Sequence, residues 1–237
     1  MAVQNVSMSI DRGSIVGLVG ESGSGKTTLG HCVVGLMRVA AGEIHYGGAL
    51  ASSPHHRPSF PRVRGVQIVY QDPNSALNPR RTVGSLIREV LQVHRLVPRG
   101  QQADRCTELL EQVGLPGSIA SRRARELSGG MCQRVAIARS LAFEPELLIA
   151  DEIVSALDAS VQAQVLNLLA DLRAATGVAI LLITHDLAVV NQVCDQVLVM
   201  HRGQLVEAGN TQEVLRSPAH PYTGSLLQAV PQIERLG

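Results

Sequence analysis

A glycine-rich segment near the start of the chain constrains the fold more than any other feature of the sequence. It matches G-x-x-x-x-G-K-[ST], a pattern that forms a phosphate-binding loop when a strand precedes it and a helix follows it. The segment consists of Gly20, Glu21, Ser22, Gly23, Ser24, Gly25, Lys26, Thr27 and Thr28. The apolar run at 15–19 predicts a buried strand before it, and apolar residues at helical spacing over 29–36 predict a helix after it. Such a junction directs backbone N–H groups and the positive end of a helix at an anion.

The residue types in this loop suit a nucleoside triphosphate that is bound together with a metal ion. Glycines let the backbone curve around phosphates because no Cβ stands in the way. Lys26 can reach the terminal phosphates, and the Thr27 hydroxyl can coordinate Mg²⁺. We therefore predict that residues 20–28 bind a nucleoside triphosphate.

The composition argues against several other classes of protein. A formal net charge of +1 and an aromatic content of 2% do not favour a nucleic-acid partner. No apolar run approaches the roughly 20 residues that span a bilayer, and residues 1–11 lack the pattern of a secretory signal. The four cysteines form no C-x-x-C pair, which predicts reduced thiols in the cytosol and no metal or iron–sulfur site.

Alternating apolar patterns predict an α/β fold with a mostly parallel sheet. Strands are predicted at 3–10, 15–19, 42–48, 66–70, 147–150, 178–183, 196–200 and 204–207. Helices are predicted at 82–113 with a break at 98–100, at 128–143 with Ser128 as N-cap, at 159–174, from about 186, at 211–215 and at 222–229. Residues 51–64 are predicted to form an exposed loop. We expect residues 72–145 to form an inserted helical subdomain, and residues 1–71 with 146–237 to form the catalytic core.

Polar residues at the ends of other strands complete the predicted catalytic site. Asp151 and Glu152 follow a buried strand, at the edge where ligands of open α/β sheets bind. Asp151 suits contact with Mg²⁺ through a water molecule, and Glu152 suits the general base that orients the attacking water. Gln71 could complete the metal shell, and His185 could donate a hydrogen bond to a γ-phosphate. For Gln71 and His185, an ordinary polar residue at a strand end is the alternative.

The order of these pieces resembles that of the ATP-binding cassette (ABC) ATPases over essentially the whole chain. The matching segments, in chain order, are residues 20–28, Gln71, Leu127–Gly130, Leu148–Glu152, Ser155–Asp158 and His185. The Leu-Ser-Gly-Gly turn, followed by the helix from Gln133, is the most specific of them. The resemblance implies the fold of this family: a P-loop NTPase core, an inserted helical subdomain and a small N-terminal antiparallel β portion.

The same resemblance implies that two ATPase subunits share each nucleotide. The turn of Ser128, Gly129 and Gly130 opens a helix, so it offers a hydroxyl, N–H groups and a positive helix end. In the family, this turn of one subunit closes the ATP site on the phosphate loop of another. The resemblance places Asp158 at that seam. It implies a second ATPase subunit, either another copy or a different chain, with ATP and Mg²⁺ as ligands.

Within the family, three segments resemble the ATPase subunits of oligopeptide, dipeptide and nickel importers: 71–79, 158–164 and 220–227. This resemblance implies membrane-spanning permease partners, an indirect link to a solute-binding protein, and a position on the inner face of the cell membrane. No cysteine follows Cys194, so we expect no cluster of the kind that some members hold beyond this tail. Two alternatives stay open: an accessory ATPase of a phosphonate carbon–phosphorus lyase complex, and a regulatory subunit with weak hydrolysis.

Three departures from the family pattern have expected consequences. Met131 replaces a glutamine after the Ser-Gly-Gly turn, which predicts weaker closure on ATP. Ile153 and Val154 replace the usual Pro-Thr, which predicts altered coupling more than altered chemistry. No aromatic residue precedes Tyr46, although the family stacks adenine on one there. Either ATP affinity is lowered, or the chain as given is short at its N-terminus.

Overall fold

A computed structural model describes residues 2–56, 65–72 and 77–229. Its strands are β1 (Ile15–Val19), β2 (Ile44–Tyr46), β3 (Ala49–Ser52), β4 (Val66–Tyr70), β5 (Leu147–Asp151), β6 (Ala179–Thr184), β7 (Gln196–His201) and β8 (Gln204–Asn210). Six strands form one sheet in the order β4-β5-β6-β1-β7-β8, and β2 pairs with β3 in a separate antiparallel hairpin. Within the large sheet only the β7–β8 pair is antiparallel. The predicted mostly parallel sheet is therefore confirmed, and the hairpin is the small antiparallel portion.

The described helices occur in the order that the sequence predicts, six of them between strands and the last two after β8. They are α1 (Lys26–Val33), α2 (Val83–Val93), α3 (Gln102–Gln112), α4 (Gly129–Leu141), α5 (Ala159–Thr176), α6 (Leu187–Val193), α7 (Thr211–Arg216) and α8 (Pro221–Ala229). Short 3₁₀ turns occur at Arg99–Gln101, Gly117–Ser121 and Ala124–Glu126. Side-chain oxygens cap the first turns of several helices, and the predicted cap of α4 is confirmed because the Ser128 hydroxyl accepts a hydrogen bond from the Met131 N–H.

The predicted strand at 3–10 is wrong. Residues 2–10 contain no strand, and Gln4 alone makes a backbone hydrogen bond outside this segment, to Gly203 O at 2.7 Å. The alternation has another cause: Val3, Val6, Met8 and Ile10 pack on the apolar cluster at one face of the sheet. A strand also needs a ladder of backbone partners, and periodicity carries no information on whether a partner lies beside the segment.

Both faces of the sheet are buried, as expected for parallel strands covered by helices. All residues of β1, β5 and β6 are buried. One apolar cluster joins the sheet to the helices between β4 and β5, through side chains such as Leu148 and Ile87. The other lies on the opposite face, around Leu18 and Leu181, beneath α1 and the hairpin. The core thus holds the ends of β1, β4, β5 and β6 together at one edge of the sheet.

Some sequence predictions reach beyond the described residues or differ at their edges. The predicted loop at 51–64 is described as far as residue 56, and β3 takes its first two residues. The strand predicted at 204–207 continues to Asn210, and the helix predicted at 159–174 continues to Thr176. Among the described residues, no helix combines the length and the apolar character that crossing a membrane requires.

Candidate nucleotide-binding site

The phosphate loop joins β1 to α1, and two of its glycines have backbone conformations that other residues seldom adopt. Gly20 has φ 154° and Gly25, the N-cap of α1, has φ 107°. A Cβ at Gly20 would overlap the Met200 carbonyl oxygen, so the loop lies directly against the end of β7. The Gly203 N–H donates to Ser24 O at 2.9 Å from the same side. These contacts fix a loop whose concave side faces the N-terminus of α1, as anion binding requires.

Lys26 is the first residue of α1, and its side chain reaches back to the start of the phosphate loop. Its ammonium donates hydrogen bonds to Gly20 O at 2.8 Å and to Glu21 O at 2.9 Å, and the residue is only 5% exposed. Burial lowers the pKa of Lys26, while the carboxylates of Glu152 and Asp151 act in the opposite direction. Lys26 is therefore a largely desolvated cation held by the carbonyl groups at the start of the loop.

Asp151 and Thr27 meet where β5 ends beside α1. The Thr27 hydroxyl donates to Asp151 Oδ1 at 3.3 Å. Burial raises the pKa of the Asp151 carboxyl, and the hydrogen bond from Thr27 partly opposes that rise. Tyr70 pairs with Asp151 across β4 and β5, so Gln71 follows directly at the same edge, where it is exposed. The three predicted metal-binding side chains thus lie at neighbouring strand and helix ends.

Glu152 and His185 form a second pair at this edge. The Glu152 N–H donates to Ile183 O at 2.9 Å as the last bond between β5 and β6, and Glu152 itself has a left-handed backbone with φ 50°. His185 Nδ1 lies 3.6 Å from Glu152 Oε1. The Glu152 side chain is 26% exposed and that of His185 is 58% exposed, so water can reach both. A carboxylate and an imidazole so close to the phosphate loop can orient a water molecule and a phosphate oxygen.

The Ser128–Gly130 turn does not join this cluster within one chain. Ser128 caps α4, and a Cβ at Gly130 would overlap Val161 of α5, so the turn packs beside the start of α5. Asp158 caps that same helix by accepting a hydrogen bond from the Val161 N–H at 2.9 Å. Ser128, Gly129 and Asp158 are exposed. In the described part of the chain, no hydrogen bond or ion pair links them to the phosphate loop.

The residues that depart from the family pattern lie close to the site but not in it. Ile153 and Val154 are 1% and 2% exposed, and both belong to the core that joins the sheet to the helices. Met131 is half-buried and packs on the same core. Apolar side chains at these three positions therefore contribute to core packing, and the expected effects on ATP closure and on coupling stay predictions.

The residues present fit a nucleoside triphosphate with Mg²⁺. Ser24 Oγ is buried without a hydrogen-bond partner among the described residues, beside the N-terminus of a helix, where a phosphate oxygen could accept its proton. Asp151, Thr27 and Gln71 offer carboxylate, hydroxyl and amide oxygens, which are the hard ligands that Mg²⁺ prefers. Lys26 supplies the balancing positive charge.

Two contacts around the site escaped the sequence analysis. His31, in the last turn of α1, is one of the groups that oppose the burial-driven rise in the pKa of Asp151. Its ring packs edge-on against Tyr70, with the ring centroids 5.9 Å apart. Tyr222, from the C-terminal helix, contacts the phosphate loop itself. In the sequence, segment 220–227 indicates a subgroup of the family, but no local signal in it tells which distant residue it contacts.

A parallel sheet with a glycine-rich phosphate loop after β1, and paired carboxylates after β5, defines a P-loop nucleotide-binding protein. A model of the ABC transporter family matches residues 3–155, which is more than half of the chain. A second model, the C-terminal region of oligopeptide/dipeptide transporters, matches residues 206–236. The chain belongs to the ABC transporter family, as an ATP-binding subunit that hydrolyses ATP.

Individual relatives agree with this assignment. A Brucella ovis protein described as a peptide import ATP-binding protein is 45% identical over 229 residues, which cover 97% of this chain and 72% of that protein. A Brucella abortus (strain 2308) protein with the same description is 47% identical over 235 residues, or 99% and 70% of the two chains. The solved structure of cbiO1 from Clostridium perfringens, part of the ABC transporter complex cbiONQ, is similar with a TM-score of 0.81 and 28% identity over 91% of this chain and 84% of that chain. The predicted family and fold are confirmed.

Proposed function

We propose that this chain is the ATPase subunit of a membrane importer for oligopeptides, dipeptides or a related small solute. The single observation that carries the proposal is the match of residues 206–236 to the C-terminal region of oligopeptide/dipeptide transporters, in a chain whose nucleotide site has every expected polar group. Relatives described as peptide import proteins support the same reading. The chain then lies in the cytoplasm, on the inner face of the membrane that holds its partners.

The side chains at the strand ends have different roles in ATP hydrolysis. Bound MgATP supplies a γ-phosphoryl group for transfer to water. Residues 20–28 would bind the phosphates, with Lys26 as the cation, while Thr27, Gln71 and Asp151 (through water) would hold the metal. Glu152 orients and deprotonates the attacking water, and His185 donates a hydrogen bond to the γ-phosphate. The 3.6 Å separation of Glu152 and His185 supports this pairing.

The nucleotide site is completed by a second ATPase subunit. Ser128, Gly129 and Gly130 open α4, a helix of 13 residues, and Ser128 and Gly129 are exposed to solvent. An exposed helix N-terminus with a hydroxyl suits the open side of a triphosphate held elsewhere. A head-to-tail pair of subunits would bring it there, with Asp158 at the seam. The partner is a second copy or a different ATPase chain.

The helical insertion connects this site to the membrane partners. We assign residues 72–145 to a helical subdomain and residues 1–71 with 146–237 to the catalytic core. Gln133 of α4 is fully buried, and its amide donates to Tyr70 O at 3.3 Å, next to Gln71. Movement of α4 toward a second ATP site would therefore act on the Gln71 segment. Permease subunits that contact this region would respond, and a solute-binding protein would take part through them.

Co-purification of the tagged chain from detergent-solubilised membranes tests the proposal. The expected result is recovery with two kinds of polypeptide, a membrane-spanning permease and an ATPase, identified by mass spectrometry. Recovery in the soluble fraction with enzymes of carbon–phosphorus bond cleavage, and with no permease, would contradict the importer role. ATP hydrolysis by the chain stands apart from this test, because either assembly would use it.

A further inference from the structure

The C-terminal tail contacts the phosphate loop directly. The hydroxyl oxygen of Tyr222, in the first turn of α8, accepts a hydrogen bond from the Glu21 N–H at 3.0 Å. The two residues are 201 positions apart in the chain. Glu21 is the second residue of the loop, immediately before the segment 22–28 that we propose to bind the phosphates. The tail therefore fixes the peptide at which the loop leaves β1.

The aromatic ring of Tyr222 is itself held by the strand that supports the loop. Its centroid lies 3.9 Å from that of His201, with the planes at 40°. His201 ends β7 and follows Met200, whose carbonyl lies against Gly20. Tyr222 and the end of β7 thus contact each other and the opening of the loop, so the loop is supported from two sides.

The backbone before Tyr222 is anchored by one carboxylate. Glu207 of β8 accepts hydrogen bonds from the Ala219 N–H at 2.7 Å and from the His220 N–H at 3.1 Å. His220 Nδ1 then accepts the Tyr222 N–H at 3.1 Å. This chain of bonds runs from the sheet through residues 219–222 to the phosphate loop. Each link is a specific polar contact, so the position of the Tyr222 hydroxyl is set by the fold and not by free rotation of a surface side chain.

We propose that Tyr222 is a positioning residue for ATP binding, which holds the phosphate loop in its nucleotide-ready shape. A hydrogen bond at Glu21 restricts the peptide that opens the loop, so less conformational freedom is lost when phosphates bind. The tail that marks the subgroup thereby acts on the nucleotide site of its own chain. This role depends on the ATP site used in the proposed function, but not on the solute or the membrane partners.

Tyr222→Phe tests the proposal because it removes the hydroxyl and keeps the ring on His201. In nucleotide-free protein, we expect amide hydrogen exchange in the peptide spanning 20–25 to accelerate about three- to tenfold, the effect of one ordinary hydrogen bond. Tyr46→Phe is the matched control, since the Tyr46 hydroxyl donates to the Gly65 carbonyl at 3.1 Å, near the hairpin. Exchange over 20–25 should match the parent in that control.

Nucleotide binding gives the second measurement. Titration with a fluorescent ATP analogue should show a dissociation constant about three- to tenfold higher in Tyr222→Phe, with turnover at saturating ATP within about twofold of the parent. Parental exchange over 20–25 together with parental affinity would overturn the proposal. The exchange measurement needs no nucleotide and no permease, so a failed importer assignment would leave its outcome unaffected.

Discussion

Glu152→Gln is expected to lower ATP turnover about a hundred- to ten-thousandfold, the usual contribution of a general base. The amide keeps the shape of the side chain but cannot accept a proton from the attacking water. ATP affinity should stay close to that of the parent, because phosphate contacts come from residues 20–28 and Glu152 is not among them. Steady-state phosphate release and equilibrium binding, measured on the same preparation, separate the two effects.

Glu144→Gln is the matched control for this variant. Glu144 has a left-handed backbone with φ 51°, against 50° for Glu152, but its carboxylate pairs with Arg105 at 2.8 Å on the surface. A loss of turnover in both variants would point to the backbone conformation and not to proton transfer. Equal turnover in Glu152→Gln and the parent would end the assignment of Glu152 as the base.

Lys26→Met is expected to raise the dissociation constant for ATP at least about a hundredfold, because charge-assisted hydrogen bonds in a desolvated site each contribute about 1.5–3 kcal/mol. The methionine side chain fills the same space, so the loop keeps its packing. Burial lowers the pKa of Lys26, so the folded state already disfavours its charge. Removing the charge relieves this desolvation but also removes the hydrogen bonds to Gly20 O and Glu21 O. The two effects oppose each other, so we expect the free energy of unfolding to change by no more than about 1–3 kcal/mol.

Arg12→Met provides the comparison for Lys26→Met. Arg12 is also basic, but its side chain is 81% exposed and pairs with Glu146 at 3.5 Å. An ion pair so exposed contributes little, so this variant should bind ATP like the parent. Isothermal titration measures the dissociation constant for ATP, and chemical unfolding measures the free energy of unfolding. Parental ATP affinity in Lys26→Met would contradict the role of Lys26 as the phosphate-binding cation.

Much of the fold and of the site could be predicted from the sequence because both depend on local patterns. The strand before Gly20 and the strand before Asp151 are continuous apolar runs, and their polar residues follow immediately. Parallel pairing then brings the ends of these strands to one edge, where Thr27 meets Asp151. Ser128 as the cap of α4 was equally predictable, since a serine before Gly-Gly and a helical period is a local signal.

Contacts between distant residues could not be predicted in this way. The alternation at 3–10 results from packing on the sheet, and a one-dimensional pattern cannot separate that from a strand with hydrogen-bonded neighbours. The bond from Glu21 to Tyr222 joins opposite ends of the chain, and it exists only because β7, β8 and the tail fold back on the loop. Neither the tyrosine nor its neighbours have a local feature that points to residue 21.

We propose that one subunit binds ATP through its phosphate loop and that Ser128–Gly130 of another subunit completes the site. Photocrosslinking tests this arrangement most directly. A benzophenone is attached to Ser128→Cys in a Glu152→Gln background, with the half-buried Cys32 replaced by serine. The crosslinked peptides of the purified complex are then identified with and without MgATP. We expect ATP to direct the crosslink to the phosphate loop of a second ATPase subunit, of the same or a different chain. Crosslinks that never reach a phosphate loop, with ATP present and hydrolysis blocked, would contradict it.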